Sequence, residues 1–168
     1  MSDAADANAK SRPAQQTVPQ PYQPIRALLR AGKNDEAIVL LCALTVTRPN
    51  DALAKELLFD AFFQKRDWAP AFTLIDELAR AQPENARLQK ALATTLSNMK
   101  RYDDAIVQAQ RYIERHGEDL TILDVLKVAH FYSGKIDDAV RFGQRTIEIR
   151  DAEACLLPAA ATLAEPEG

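Results

Sequence analysis

Residues 103–115 read DDAIVQAQRYIER, and residues 137–149 read DDAVRFGQRTIEI, the same pattern displaced by 34 positions. The pattern also extends backwards. Asp35-Glu36-Ala37-Ile38 and Ala69-Pro70-Ala71-Phe72 fall in the same register, so Ala37, Ala71, Ala105 and Ala139 are spaced 34 residues apart. Other residue types keep the period: Pro49 with Pro83, Trp68 with Tyr102, Leu58 with Leu92 and Leu126, and Gly32 with Gly134 three periods on. Self-similarity at a fixed period of this length is the mark of a repeat array, in which each unit buries its apolar face against the next.

Each period reads as two helices. In AFTLIDELARA (71–81), Phe72, Ile75, Leu78 and Ala79 share one face at helical spacing, and Pro83 stops the chain soon after. IRALLRAG ends in Gly32, a good helix stop. ARLQKALATTLSNM and LTILDVLKVAHFYSG open the third and fourth periods. AIVLLCALTVT (37–47) is apolar on most faces, which predicts a buried helix with Cys42 as a small core residue. No alternating β-branched run and no Asn-Gly or Asp-Gly hairpin occurs. The expectation is an all-α chain of eight main helices, with residues 152–163 able to add a short terminal one interrupted at Pro158.

The composition bounds the chemistry. The chain has 168 residues, 47% of them hydrophobic, enough for one domain with a sizeable core. Its net charge of −3 predicts no strongly basic nucleic-acid surface, and no basic stripe with interleaved aromatics is present. The five glycines build neither of the standard phosphate-cradling loops. Cys42 and Cys155 form no CxxC pair, and His116 and His130 no HxxxH, so neither a metal nor any other cofactor is expected. The pairs Asp35-Glu36, Asp103-Asp104 and Asp137-Asp138 recur in period after period. That recurrence suits capping and the helix dipole, not a single catalytic cleft. His116 suits a helix end, and His130 a packed, hydrogen-bonded site on a first helix. Residues 1–19 are polar and Ala/Gln/Pro-rich, and are expected to be disordered. No secretory-type apolar run and no stretch of about 18 apolar residues occurs. A cytoplasmic protein with no membrane insertion is the expectation.

The 34-residue helix–turn–helix period resembles the tetratricopeptide repeat (TPR) family. The resemblance covers about 18–153, framed as repeats 18–51, 52–85, 86–119 and 120–153. The family's small residue at the start of the second helix matches the four periodic alanines. Its first-helix apolar positions match Leu28, Leu58, Phe62, Leu92, Leu96 and Leu126, its aromatic before the second helix Trp68 and Tyr102, and its closing proline Pro49 and Pro83. There are departures: the closing proline is Gly117 and Asp151 in the last two repeats, and His130 stands where an apolar residue is usual. Pro21 and Pro24 weaken the first helix, which should start near Pro24. The resemblance implies a right-handed superhelical solenoid. Its boundaries are a tail at 1–19, the repeats at 20–153, and a capping segment or truncated fifth repeat at 154–168.

The resemblance also implies that first helices line a concave groove holding a protein or peptide partner. Its groove positions here are Tyr22, Arg26, Leu29 and Arg30, then Glu56, Asp60, Phe63 and Gln64. The third and fourth repeats add Arg87, Lys90, Thr94, Ser97 and Asn98, then Asp124, Val128, Phe131 and Tyr132. Phe63, Phe131 and Tyr132 read as apolar anchors, since aromatics carry a large share of binding energy. Arg26 and Lys90 on one side and Asp60 and Asp124 on the other would orient a peptide. The carboxylate clamp of the family's co-chaperones is rejected, because Glu56 and Asp60 would repel a carboxylate. The reading is a non-enzymatic scaffold or adaptor. The alternative is the interaction domain of a larger enzyme, such as a glycosyl-, sulfo- or methyltransferase. Self-association through the terminal repeat faces is a third mode.

Overall fold

The computed structural model describes residues 22–162. The expected disorder at 1–19 lies outside them. Among the described residues there are eight helices and no strand. They are α1 (Gln23–Arg30), α2 (Asn34–Thr47), α3 (Ala52–Gln64), α4 (Trp68–Ala81), α5 (Ala86–Asn98), α6 (Tyr102–His116), α7 (Leu120–Tyr132) and α8 (Ile136–Thr162). Each helix packs on the next, and the first helices α5 and α7 also touch directly. This is the helix–turn–helix solenoid that the 34-residue period predicts.

The turn inside each repeat is built the same way four times. Residues 32, 66, 100 and 134 all adopt positive φ, at 72°, 60°, 62° and 77°. In each turn that residue's N–H reaches back three residues and the following N–H reaches back five. Gly32 donates to the Leu29 carbonyl at 3.1 Å and Lys33 to Leu28 at 2.9 Å; Lys100 donates to Ser97 and Arg101 to Leu96, both at 3.0 Å. This Schellman pair satisfies carbonyls that a helix end leaves orphaned. Two turns use glycine for the left-handed residue, and the other two use Arg66 and Lys100.

Second helices then start close against their neighbours. Ala37, Ala71 and Ala105 are completely buried and Ala139 nearly so, because helices this near leave room only for a methyl group. The acidic pairs lie in the first turns of α2, α6 and α8, where they complement the helix dipole. No side-chain capping hydrogen bond forms at α2 or α6. Capping falls instead to two first helices, α3 and α7. Asp51 accepts from the Ala54 N–H at 3.1 Å, and Asp119 accepts from the Thr121 N–H at 2.8 Å. The buried residues form two clusters. One spans α1–α3 and the other α3–α7, with Phe62 and Leu74 packed against both.

Four expectations need correction. First, α2 is not a buried helix: Val39, Leu40, Val46 and Cys42 are exposed. In the register, Val39, Cys42 and Val46 occupy outward positions that α8 fills with Arg141, Gln144 and Glu148, all exposed. Place in the array, not apolarity, sets their exposure. Second, His130 is buried as expected, but neither ring nitrogen has a hydrogen-bond partner. The ring stacks on Phe142 at 5.4 Å instead. Third, Tyr22 belongs to the core, 2% exposed, with its hydroxyl donating to Asp51. Fourth, α8 runs through Pro158 to Thr162 without a break, so residues 152–162 extend that helix and form no separate one. The register explains this. Pro49, Pro83 and Gly117 interrupt the chain after the earlier second helices, and Asp151, at the same place, does not.

Candidate functional site

The first helices α3, α5 and α7, with Ile75 of α4 beneath them, line a pocket of about 280 Å³, walled by Glu56, Asp60, Phe63, Arg87, Lys90, Thr94 and Thr121 and floored by Phe59, Ile75 and Leu88. Six groove positions implied by the resemblance meet here: Glu56, Asp60, Phe63, Arg87, Lys90 and Thr94. Phe63 tilts against Phe59 at 5.4 Å and meets the Trp68 ring edge-on at 5.3 Å. It is therefore half packed into the core, with part of its ring facing the pocket.

The charges around it are already paired. Arg87 forms an ion pair with Glu56 and lies 3.6 Å from Asp60. Burial pushes the Asp60 carboxyl up, against the pull of Arg87; the Glu56 charge adds to the rise, and Arg26 opposes it. Lys90 donates to Asp119 at 2.9 Å. Burial works against the Asp119 charge, but the Lys90 bond and backbone N–H donors hold its pKa below the usual value.

The register explains the Lys90 pair. Lys90 and Asp119 stand two repeats after Tyr22 and Asp51. Both pairs join the start of one first helix to the N-cap of the next. At these two positions the groove residue is a brace between repeats. Position 56, between them, departs from the pattern, since Glu56 pairs with Arg87.

The other expected groove residues lie elsewhere. Arg30, Gln64 and Asn98 are exposed, and Arg26 is half-buried. Asp124 pairs with Lys127 and lies 3.5 Å from Arg150. Phe131 and Tyr132 are exposed and line a second, strongly apolar pocket of about 530 Å³ between α7 and α8, with Val128, Ile136 and Val140. Tyr132 stacks on Tyr102 at 5.1 Å. The three aromatic anchors thus divide between two sites. Thr121 was the wall residue the groove reading missed. It stands 34 positions after Arg87, so the register carried the signal.

A third pocket, of about 370 Å³, opens between α4, α5 and α6. Gln89 crosses it, donating to the Ala79 carbonyl at 2.9 Å and accepting from Gln108 at 2.6 Å. Arg80 there pairs with Asp76 at 2.9 Å. Among the described residues no group of three His, Cys, Asp or Glu side chains converges as metal ligands would. No helix among them is long and apolar enough to cross a membrane.

Comparison with known proteins adds to the fold. No protein-family model matches the chain, and no curated protein matches it. Solved structures do. MamA of Desulfovibrio magneticus RS-1, residues 41 to the end, superposes with a TM-score of 0.72 at 17% identity, covering 79% of this chain and 75% of that one. MamA of MSR-1 gives 0.71 at 19%, over 77% and 74%. MamA of AMB-1 gives 0.70 at 19%, over 82% and 77%. At such identities the likeness is one of fold.

Proposed function

With the all-α, right-handed tetratricopeptide-type solenoid in place, we propose that the chain is a non-catalytic protein-interaction module that holds a partner segment in the groove of its first helices. The observation that carries this is the central pocket, an aromatic and aliphatic floor ringed by paired charges. An apolar side chain of the partner would sit on Phe59 and Phe63. A cation beside it would compete with Arg87 for Asp60, whose desolvated carboxylate gains from a second positive neighbour. Lys90 is left out of the recognition set, being engaged with Asp119.

The test is selection from a peptide-display library, followed by titration of the selected peptides. Thr94→Trp should fill the pocket and weaken binding about thirtyfold or more. Val39→Arg, on an exposed position of α2, should leave binding unchanged. Peptides that bind Thr94→Trp as well as wild type would move the site away from this groove.

A further inference from the structure

The repeat supplies its own control for what an apolar surface is meant to touch. Ile106 on α6 is 7% exposed, and Val140, its counterpart on α8, is 53% exposed. Ile113 is half-buried, and its counterpart Ile147 is 59% exposed. Among the described residues, α6 has a following first helix, α7, packed on the pair, and α8 has none. The C-terminal apolar pocket, with Val128, Phe131 and Val140, is therefore a seat for a first helix.

The sequence contains the apolar pattern of such a helix. The buried positions of α7 are Ile122, Leu123, Val125, Leu126, Ala129 and His130. Thirty-four residues on stand Leu156, Leu157, Ala159, Ala160, Leu163 and Ala164, all apolar. Glu153 follows Asp51, Asn85 and Asp119 in the N-cap register. Yet the chain does not turn back to use the segment. At 150–153, Arg-Asp-Ala-Glu holds no proline or glycine, and α8 passes straight through to Thr162. A continuous helix carries its C-terminal part onward from its own flank. Twelve residues beyond Arg150 extend about 18 Å at 1.5 Å each, close to the length of α7.

We propose that this face is covered by residues 154–164 of a second copy of the chain, in a reciprocal two-fold exchange. Each copy supplies the missing first helix of the other, which satisfies both faces with one contact type and closes the assembly. This does not rest on the groove reading, because α3 and α5 take no part.

The experiment is light scattering on the full chain, from micromolar to near-millimolar concentration. The expected mass is twice 18.6 kDa. Val140→Lys alters a side chain already exposed in one copy, so folding should survive. It should weaken the dimer by about two orders of magnitude or more, leaving a monomer of unchanged helicity. Val140→Ile should keep the dimer. Asp151→Gly restores the breaker found at Gly117; it should shift the chain to monomer by letting the segment fold onto its own face. A wild type that stays monomeric at every concentration would overturn the proposal. So would a dimer that survives Val140→Lys, which would place the contact elsewhere, for example on exposed α2. Loss of peptide binding to Thr94→Trp, with the dimer intact, separates the groove from this face.

Discussion

Lys100 and Arg66 occupy turn positions that two other repeats give to glycine. A left-handed backbone costs an ordinary L-residue about 1–2 kcal/mol, and glycine little. Lys100→Gly should therefore stabilise the protein by about 0.5–1 kcal/mol, after allowing for the greater freedom of glycine in the unfolded chain. Gly134→Ala should destabilise it by a similar amount. A Cβ there would meet nothing within 4 Å, so the cost lies in the backbone alone. Urea denaturation reads both. His130 makes a second prediction at this scale. Burial lowers its pKa below 6.5; Asp138, with an oxygen 3.8 Å from Nδ1, opposes this, while Lys135 and Arg141 reinforce it. The unfolded chain then binds a proton more readily than the folded one. Stability should be full above about pH 6.5 and fall as pH drops towards the lowered folded value. His130→Leu, restoring the residue that Leu96 provides one repeat earlier, should flatten a melting curve series between about pH 7 and pH 5. Asp51 and Asp119 have pKa values lowered from 3.8, so their own losses begin only below that. The burial of His130 was readable from its place in the period. Its missing hydrogen bonds were not, because they depend on which side chains Phe142 and Asp138 bring to the ring.

Among the elements, the second helices were the most legible, since an alanine every 34 residues marks a contact that tolerates nothing larger. Ala105→Leu should force α5, α6 and α7 apart locally and cost about 1–3 kcal/mol. The measurement is the thermal midpoint, and equal midpoints for the variant and wild type would count against the close contact. In helix α2 apolar content does not mean burial, because the register places Val39, Cys42 and Val46 outward. The groove was legible as a set of positions but not as a set of free charges. Asp60 and Lys90 look like peptide-orienting groups in the sequence, but long-range partners at Arg87 and Asp119 engage them. The end of α8 was hidden for a simpler reason: a helix without a breaker continues, and Asp151 is easily passed over as a turn residue.

Across the described molecule, the main contacts run between neighbouring helices and between the first helices of neighbouring repeats, so stability should vary along the array. The N-terminal cluster rests on α1, only eight residues long and starting with Pro24 near its N-terminus. Amide hydrogen exchange should therefore be fastest in α1 and α2 and slowest in α5 and α6, which have packed neighbours on both sides. Uniform protection from α1 to α6 would mean a single cooperative block. The brace from Lys90 to Asp119 leads further. Each repeat carries its own turn and small-residue contact within one stretch of 34 residues, and the unit between Ala86 and Asp119 also holds both ends of its brace. A chain carrying that stretch twice would meet the same surfaces at every seam. Length in such a molecule is a copy number, and it can grow by gene duplication without a new interface having to be invented.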